Sequence, residues 1–324
     1  MRTSNPSFLV AEKILILGAC GQIGVELTAA LRSIYGASSV FATDLQEEHP
    51  LLKGTGPFQH LDATNANAVH EFIVRKDITQ VYLLAALLSA TGEKIPLKAW
   101  DINMRSLLQL LEIGVQEKLA KIYWPSSIAV FGPTTPRQDT PQTTIVEPTT
   151  VYGISKWAGE LWCQYYHARW ALDVRSLRYP GLISWKGEPG GGTTDYAVDI
   201  YHKALSQGHY TSFLDRGTYL PMMYMDDAIR GTLELMEAPA DKLSTRMAYN
   251  IGAMSFAPEE VGAEIQKHLP DFKLDYAPDS RQQIAESWPQ SIDDSQARTD
   301  WGWAPRYDLK KMTAEMLEKL SAQH

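Results

Sequence analysis

An apolar strand running straight into a triplet of glycines, 14-ILILGACGQIG-24, limits this chain to few folds. Gly18, Gly21 and Gly24 recur every third residue, and the segment after them, 22–35, reads as a helix. Glycines in such a turn let the strand reverse directly into the helix. They also let backbone N–H groups approach an anion at the positive end of the helix. A turn of this kind suits a dinucleotide pyrophosphate when the next strand closes on a carboxylate. Here 39-SVFATD-44 ends at Asp44, twenty residues beyond Gly24. A carboxylate there accepts hydrogen bonds from a ribose diol and repels a 2′-phosphate, so the expected cofactor is NAD rather than NADP. Asp62, closing 57-PFQHLD-62, is the candidate for the adenine amino group.

The first half of the chain keeps alternating. Apolar strand candidates at 13–19, 39–44, 57–62, 80–86, 121–127 and 173–180 are separated by helical stretches at 22–35, 65–76, 97–118 and 152–171. Near-continuous apolar strands between helices predict an α/β fold, a doubly wound parallel sheet covered on both faces. Beyond residue 180 the alternation fails and Gly- and Pro-rich pieces appear, such as 186-KGEPGGGTT-194. The expected organisation is a cofactor-binding core over 1–180 that also carries the reacting groups. Residues 181–324 then form mainly a small substrate lobe, interleaved with returning elements of the core.

Charge and cysteine content narrow the partners. The 324 residues carry a net charge of −8 with no basic block, which argues against nucleic acid and anionic membrane surfaces. No apolar run approaches the roughly 20 residues of a membrane span. The two cysteines, Cys20 and Cys163, support neither a disulfide framework nor a four-ligand zinc site. His60, His167, His202 and His209 stand singly, so no metal is expected. The first twelve residues lack the apolar core of a secretory signal. A reducing compartment fits: the cytoplasm, with the mitochondrial matrix as the alternative.

The reacting groups are sought where the sheet ends. The fifth strand runs into 124-WPSSIAVFG-132, which puts Ser126 and Ser127 at the carboxyl edge of the sheet, where ligands of open α/β sheets bind. Tyr152 and Lys156 follow on the next helix, four residues apart and so on one face. A phenol with an ordinary pKa near 10 is a poor base at neutral pH, and a neighbouring ammonium together with a cationic nicotinamide favours its phenolate. A serine hydroxyl beside it can hold a substrate alcohol. The set is an acid–base group, a cation to tune it and a neutral donor, as expected for hydride transfer from an alcohol carbon to a nicotinamide. Asn103, inside the preceding long helix, is placed to bond a main-chain carbonyl or a relay water.

The motifs GACGQIG, 82-YLLAALLSA-90, PSSIAVFG, YGISK, RYPG and 292-IDDSQARTDWGWAP-305 run nearly the whole length. Together they resemble the extended short-chain dehydrogenase/reductase family. That resemblance implies a Rossmann core, bound NAD, and catalytic roles for Ser127, Tyr152 and Lys156. Ser127 matches the family serine better than Ser126. The cofactor site it implies comprises Gly18, Gly21, Gln22, Ile23, Gly24, Asp44, Asp62, Ala63, Leu84, Ala85, Ala86, Asn103, Tyr152, Lys156 and Tyr179.

Three features narrow the choice within the family. Sugar dehydratases carry an acidic pair after the catalytic hydroxyl residue, whereas this chain has Ile128 and Ala129. Sugar epimerases hold a nucleotide diphosphate with basic groups from the small lobe, and here Lys203, Arg216 and Arg230 are scattered. A nucleotide-sugar 4-epimerase is therefore the second reading. Gly192, Thr193 and Thr194 open the next helix, where backbone N–H groups and threonine hydroxyls suit a small carboxylate, with Ser89 on the opposite wall. The segments LLSATGE, PSSIAVFG and 178–205 together resemble the L-threonine-oxidising, metal-independent branch of the family. That resemblance implies L-threonine as the small-molecule substrate, oxidised at its β-hydroxyl to 2-amino-3-oxobutyrate. It also implies a homodimer, for which the 97–118 and 152–171 helices are the candidate faces. Substrate contacts are then expected from Ser89, Ser127, Tyr152, Gly192, Thr193 and Thr194, with Trp185 and Trp288 as candidates for a methyl pocket.

Overall fold

The strand β1 (Ile14–Leu17) shows in four residues why the sheet is covered twice: Ile14 and Ile16 enter one apolar cluster, Leu15 and Leu17 the other. A computed structural model describes residues 12–187 and 192–322. After β1 come α1 (Gln22–Tyr35), β2 (Val40–Asp44), β3 (Phe58–His60), α2 (Ala66–Lys76), β4 (Gln80–Leu83), α3 (Ser89–Gly92) and α4 (Pro96–Gln116). The core continues with β5 (Lys121–Tyr123), β6 (Ser126–Ser127), α5 (Val151–Trp170) and β7 (Val174–Tyr179). The second half supplies β8 (Gly181–Ile183), α6 (Tyr196–Gln207), β9 (His209–Ser212), β10 (Leu220–Tyr224) and α7 (Met225–Glu237). It closes with β11 (Ala248–Asn250), β12 (Met254–Phe256), α8 (Pro258–Gln266), β13 (Lys273–Tyr276), α9 (Arg281–Glu286), α10 (Ser295–Trp301) and α11 (Leu309–Ser321).

The main sheet has the order β11-β7-β5-β4-β1-β2-β3, with β6 on β7, and each of its pairings is parallel. This is the doubly wound α/β architecture expected from the alternation. Helices α1 and α7 cover one face, α2, α4 and α5 the other. The predicted strand over 121–127 is broken at Trp124 and Pro125, where the proline has no N–H to offer a ladder. Past the break Ser126 and Ser127 pair with Arg178 and Tyr179 instead. The predicted third strand is shorter and leaves Asp62 in the turn beyond it.

The small lobe packs α6, α8 and α11 around a separate cluster with Tyr196, Tyr201, Phe256 and Met312 at its centre. Strands β12, β10 and β8 form a second sheet beside it. The chain also returns to the core: β11 adds the far edge of the main sheet, and Trp303 is buried in the α1/α7 face. The indole N–H of Trp303 donates to the Gly252 carbonyl and to Asp294, which fixes the 292–305 motif as a structural latch. Among the described residues no helix is long and apolar enough to cross a membrane, and no group of three metal-ligating side chains occurs.

Candidate active site

Because the main strands run parallel, their carboxyl ends open on one edge, and the order changes direction between β1 and β4. A cleft of about 480 Å³ lies there. Gly18, Gln22, Leu84, Ser127 and Tyr152 line it from the sheet, and Gly181, Thr193, Asp195 and Trp288 from the small lobe.

The glycine turn is tight enough to demand its residue types. Gly18 has φ +93°, and a Cβ there would stand 2.5 Å from the Ala85 nitrogen. A Cβ on Gly24 would stand 2.3 Å from the Gly18 carbonyl oxygen, so α1 can start this close to β1 only with glycine at that position. No side chain caps α1, whose first-turn residues Gly21, Gln22, Ile23 and Gly24 face the cleft. Uncapped amides and an absence of acidic residues in that first turn suit a diphosphate.

The other cofactor candidates divide. Asp44 is buried at the end of β2, where one carboxylate oxygen accepts the Cys20 N–H at 2.9 Å and the other the Gln46 N–H at 3.0 Å. It therefore braces the glycine turn while keeping lone pairs for a diol. Asp62 is half-exposed and spends Oδ1 on the amide and hydroxyl of Thr64, both at 2.8 Å. Ala63 is buried in the cluster on the α2 side of the sheet. Leu84 and Ala86 line the cleft, while Ala85 lies against Gly18. Tyr179 lines it too, but its hydroxyl turns inward to Tyr123 and Thr232. Asn103 clamps Leu87 at both backbone groups: its amide accepts the Leu87 N–H at 2.8 Å and donates to the Leu87 carbonyl at 3.0 Å. A further bond to Ser155 joins α4 to α5.

The two serines have separate duties. Ser126 donates to Glu160 at 2.5 Å, inside the buried pair that Glu160 makes with Arg178 at 2.7 Å. Ser127 faces the cleft, and its hydroxyl accepts the Ala129 N–H at 3.2 Å. Helix α5 begins at a Thr150 cap, whose hydroxyl accepts the Gly153 N–H at 3.1 Å. This start aims Tyr152 and Lys156 into the cleft beside Ser127. The Lys156 ammonium donates to the Pro125 carbonyl at 2.5 Å and lies 4.5 Å from the centroid of the Trp124 ring.

Without cofactor, burial governs the electrostatics of this pair. Burial pushes the Tyr152 phenol up to about 12, and hydrogen bonding with Ser127 only partly opposes it. Burial also pushes the Lys156 ammonium down to about 7, against smaller upward pulls from Cys163 and Glu160. In the protein alone Lys156 does not lower the Tyr152 pKa. The physical reason is desolvation: both groups sit out of water, so each resists its charged form.

On the lobe wall, Thr193 is buried and Thr194 half-buried, and both line the cleft with Gly192. Asp195 directly precedes α6 at the N-cap position, without a side-chain bond to the helix amides. The Asp195 carboxylate accepts the Gly192 N–H at 2.8 Å and stands in the cleft wall. Sequence reasoning missed it; its only local signal is a carboxylate directly before a predicted helix. Trp288 lines the cleft, whereas Trp185 packs against the small-lobe cluster. Ser89 starts α3, but its side chain lies outside the described residues; Thr91 of the same turn lines the cleft. Arg230 is committed to Asp227 and Glu234, and Arg216 stacks on Tyr276. Among the described lining residues Lys156 is the only cation.

Comparison with known proteins follows the same lines. The model of the NAD dependent epimerase/dehydratase family matches residues 14–252. An uncharacterized epimerase/dehydratase of Staphylococcus haemolyticus is 53% identical over 311 residues, covering 95% of this chain and 98% of that protein. A solved partial-consensus L-threonine 3-dehydrogenase is 59% identical with a TM-score of 0.93, covering 96% of this chain and 99% of that one. The holo form of an L-threonine dehydrogenase from Cupriavidus necator is 57% identical with a TM-score of 0.93, covering 95% and 99%.

Proposed function

Since this chain belongs to the NAD dependent epimerase/dehydratase family, we propose that it is an NAD-dependent L-threonine 3-dehydrogenase. It oxidises the β-hydroxyl of L-threonine to 2-amino-3-oxobutyrate. The observation that carries the reading is the meeting of Ser127, Tyr152 and Lys156 with Thr193, Thr194 and Asp195 across one cleft. Solved relatives at 57% and 59% identity that bear this activity in their names support it.

The glycine turn, Asp44, Leu84, Ala86 and Lys156 would hold NAD, which supplies a hydride acceptor and a positive charge beside the phenol. Ser127 holds the substrate β-oxygen, and Tyr152 takes its proton as the Cβ–H bond breaks and the carbonyl forms. Thr193, Thr194 and the Ser89 turn receive the carboxylate. Asp195 supplies a counter-charge for the ammonium, and Trp288 meets the methyl group. Residues 1–180 thus bind the cofactor and carry the reacting groups, and 181–324 mainly shape the substrate pocket. Asn103 acts indirectly, by fixing Leu87 in the cleft wall.

The epimerase reading is set aside on charge. A nucleotide diphosphate needs cations, and the described lobe wall contributes none. Pairing of two copies is supported by the face of α4 and α5. There Leu97, at 85% exposed, stands with Trp100, Ile154, Leu161, Trp162 and Tyr165 as an unburied apolar surface. A mass near that of one chain in multi-angle light scattering would exclude the homodimer. The free thiols Cys20 and Cys163 suit a reducing cytoplasm, where the reaction would serve threonine catabolism. The deciding assay is NADH formation from purified protein, NAD and L-threonine, with NADP, L-serine and UDP-galactose in parallel. NADH from threonine with NAD alone is expected; UDP-sugar interconversion without it refutes the reading.

A further inference from the structure

Glu26 is a buried carboxylate, 8% exposed, in the second turn of the helix that opens on the glycine motif. A buried charge must be paired, and both partners of this one come from a single distant stretch. The Ser184 hydroxyl donates to Oε1 at 2.6 Å, and the Lys186 ammonium donates to Oε2 at 2.9 Å. Ser184 in turn accepts the Lys186 backbone N–H at 3.1 Å, so the stretch is folded onto the carboxylate. The next residue, Gly187, lies against Gln22 in the first turn of α1: a Cβ there would be 3.4 Å from Gln22 Cγ. Residues 184–187 therefore cross α1 from its second turn to its cofactor-facing end.

The other end of this strap reaches the substrate wall. Ser184 directly follows β8, which is paired along its length with β10. At the start of β8, Gly181 lines the cleft and packs on Thr194, whose Cβ a side chain at 181 would meet at 2.7 Å. Three strand residues span only about 10 Å, so Glu26 and Thr194 are joined through one short, hydrogen-bonded element. We propose that Glu26 is a positioning residue: by holding Ser184 and Lys186 it ties the cofactor helix to β8 and so sets the place of the Thr193–Asp195 wall. Glu26 itself does not line the cleft. The kinetic side of this proposal rests on the threonine-oxidising reading, and its structural side does not.

Two readouts test it on the full-length protein. Trypsin cleaves after lysine, and Lys186 is held in the ion pair, so the initial cleavage rate after Lys186, read by mass spectrometry, reports the strap. In Glu26→Gln that rate rises about threefold to tenfold, while cleavage after buried Lys156, a reporter of global unfolding, does not. The same variant raises KM for L-threonine by about fivefold, with kcat and the Kd for NAD within about twofold of wild type. Lys186→Arg keeps both the charge and the trypsin site and restores wild-type behaviour in both readouts. Unchanged cleavage after Lys186 in Glu26→Gln overturns the proposal. So does equal acceleration at Lys156, or a threonine KM that stays put while the strap loosens. Should the wild-type protein make no NADH from threonine, the functional reading fails, and the cleavage comparison alone decides the strap. Ser184→Ala, which removes the other bond, should raise cleavage after Lys186 with the same sparing of Lys156.

Discussion

On the sheet side of the cleft the chemistry comes from successive strand–helix turns of a regular fold; on the lobe side it comes from side chains that share only a location. Gly18, Ser127 and Tyr152 each stand where the backbone of a parallel sheet must end or a helix must begin. Asp195 and Trp288 both line the cleft, from segments far apart in the chain. On the proposed function, the sheet wall supplies the reacting groups, whose charge states are pushed by burial, and the lobe wall supplies fixed polar contacts that choose the substrate. Mutations on the two walls should therefore separate kcat from KM.

The largest effect is expected on the sheet wall. Tyr152→Phe removes the proton acceptor but little volume, and should lower kcat with threonine by about a thousandfold or more. NAD affinity, followed by quenching of protein fluorescence, should stay within about twofold because the glycine turn is untouched. Retained turnover would break the assignment of chemistry to this wall.

A smaller, opposite pattern is expected across the cleft. Asp195→Asn keeps an oxygen to accept the Gly192 N–H, so the turn before α6 survives. It removes the counter-charge for the ammonium, which should raise KM for threonine by about tenfold and leave kcat largely intact. Steady-state kinetics at saturating NAD checks this. A fall in kcat with unchanged KM would place Asp195 with the reacting groups instead and erase the contrast.

The same division explains what could be read from sequence. Gly18, Gly24 and Asp44 answer backbone demands within one strand–turn–helix–strand unit, so spacing alone reveals them. Ser127, Tyr152 and Lys156 are likewise fixed by the strand end and one helical face. The lobe wall has no such period. Thr193 and Thr194 were legible as residues at a helix start, but the place of Asp195 in the cleft wall needed the tertiary fold. The strap from Glu26 to Lys186 joins residues 160 apart in sequence, which no local pattern encodes. The four-residue spacing puts Tyr152 and Lys156 on one face, but their burial was not legible in it, because burial depends on Trp124, Pro125 and the neighbouring helices.

The burial of Lys156 yields the last prediction. Burial holds Lys156 down to about 7 in the folded protein, against 10.5 when exposed. Between those values the unfolded chain binds one more proton than the folded one, so stability rises with pH across the window. Below about pH 7 both states are protonated and the full destabilisation is present. The slope is at most about 1.4 kcal/mol per pH unit, the limit for one proton. Lys156→Met should therefore raise Tm most near pH 7, with the gain shrinking toward pH 10. Above that, Tyr152, pushed up to about 12, acts with the opposite sign and closes the window. Asp195→Asn, on the other wall, should shift Tm by a similar amount throughout pH 7–10. Calorimetry of the three proteins without cofactor distinguishes the cases. A Tm difference between wild type and Lys156→Met that does not change from pH 7 to pH 9 would show that Lys156 keeps its ordinary pKa in the fold, and that the sheet wall carries no electrostatic strain the lobe wall lacks.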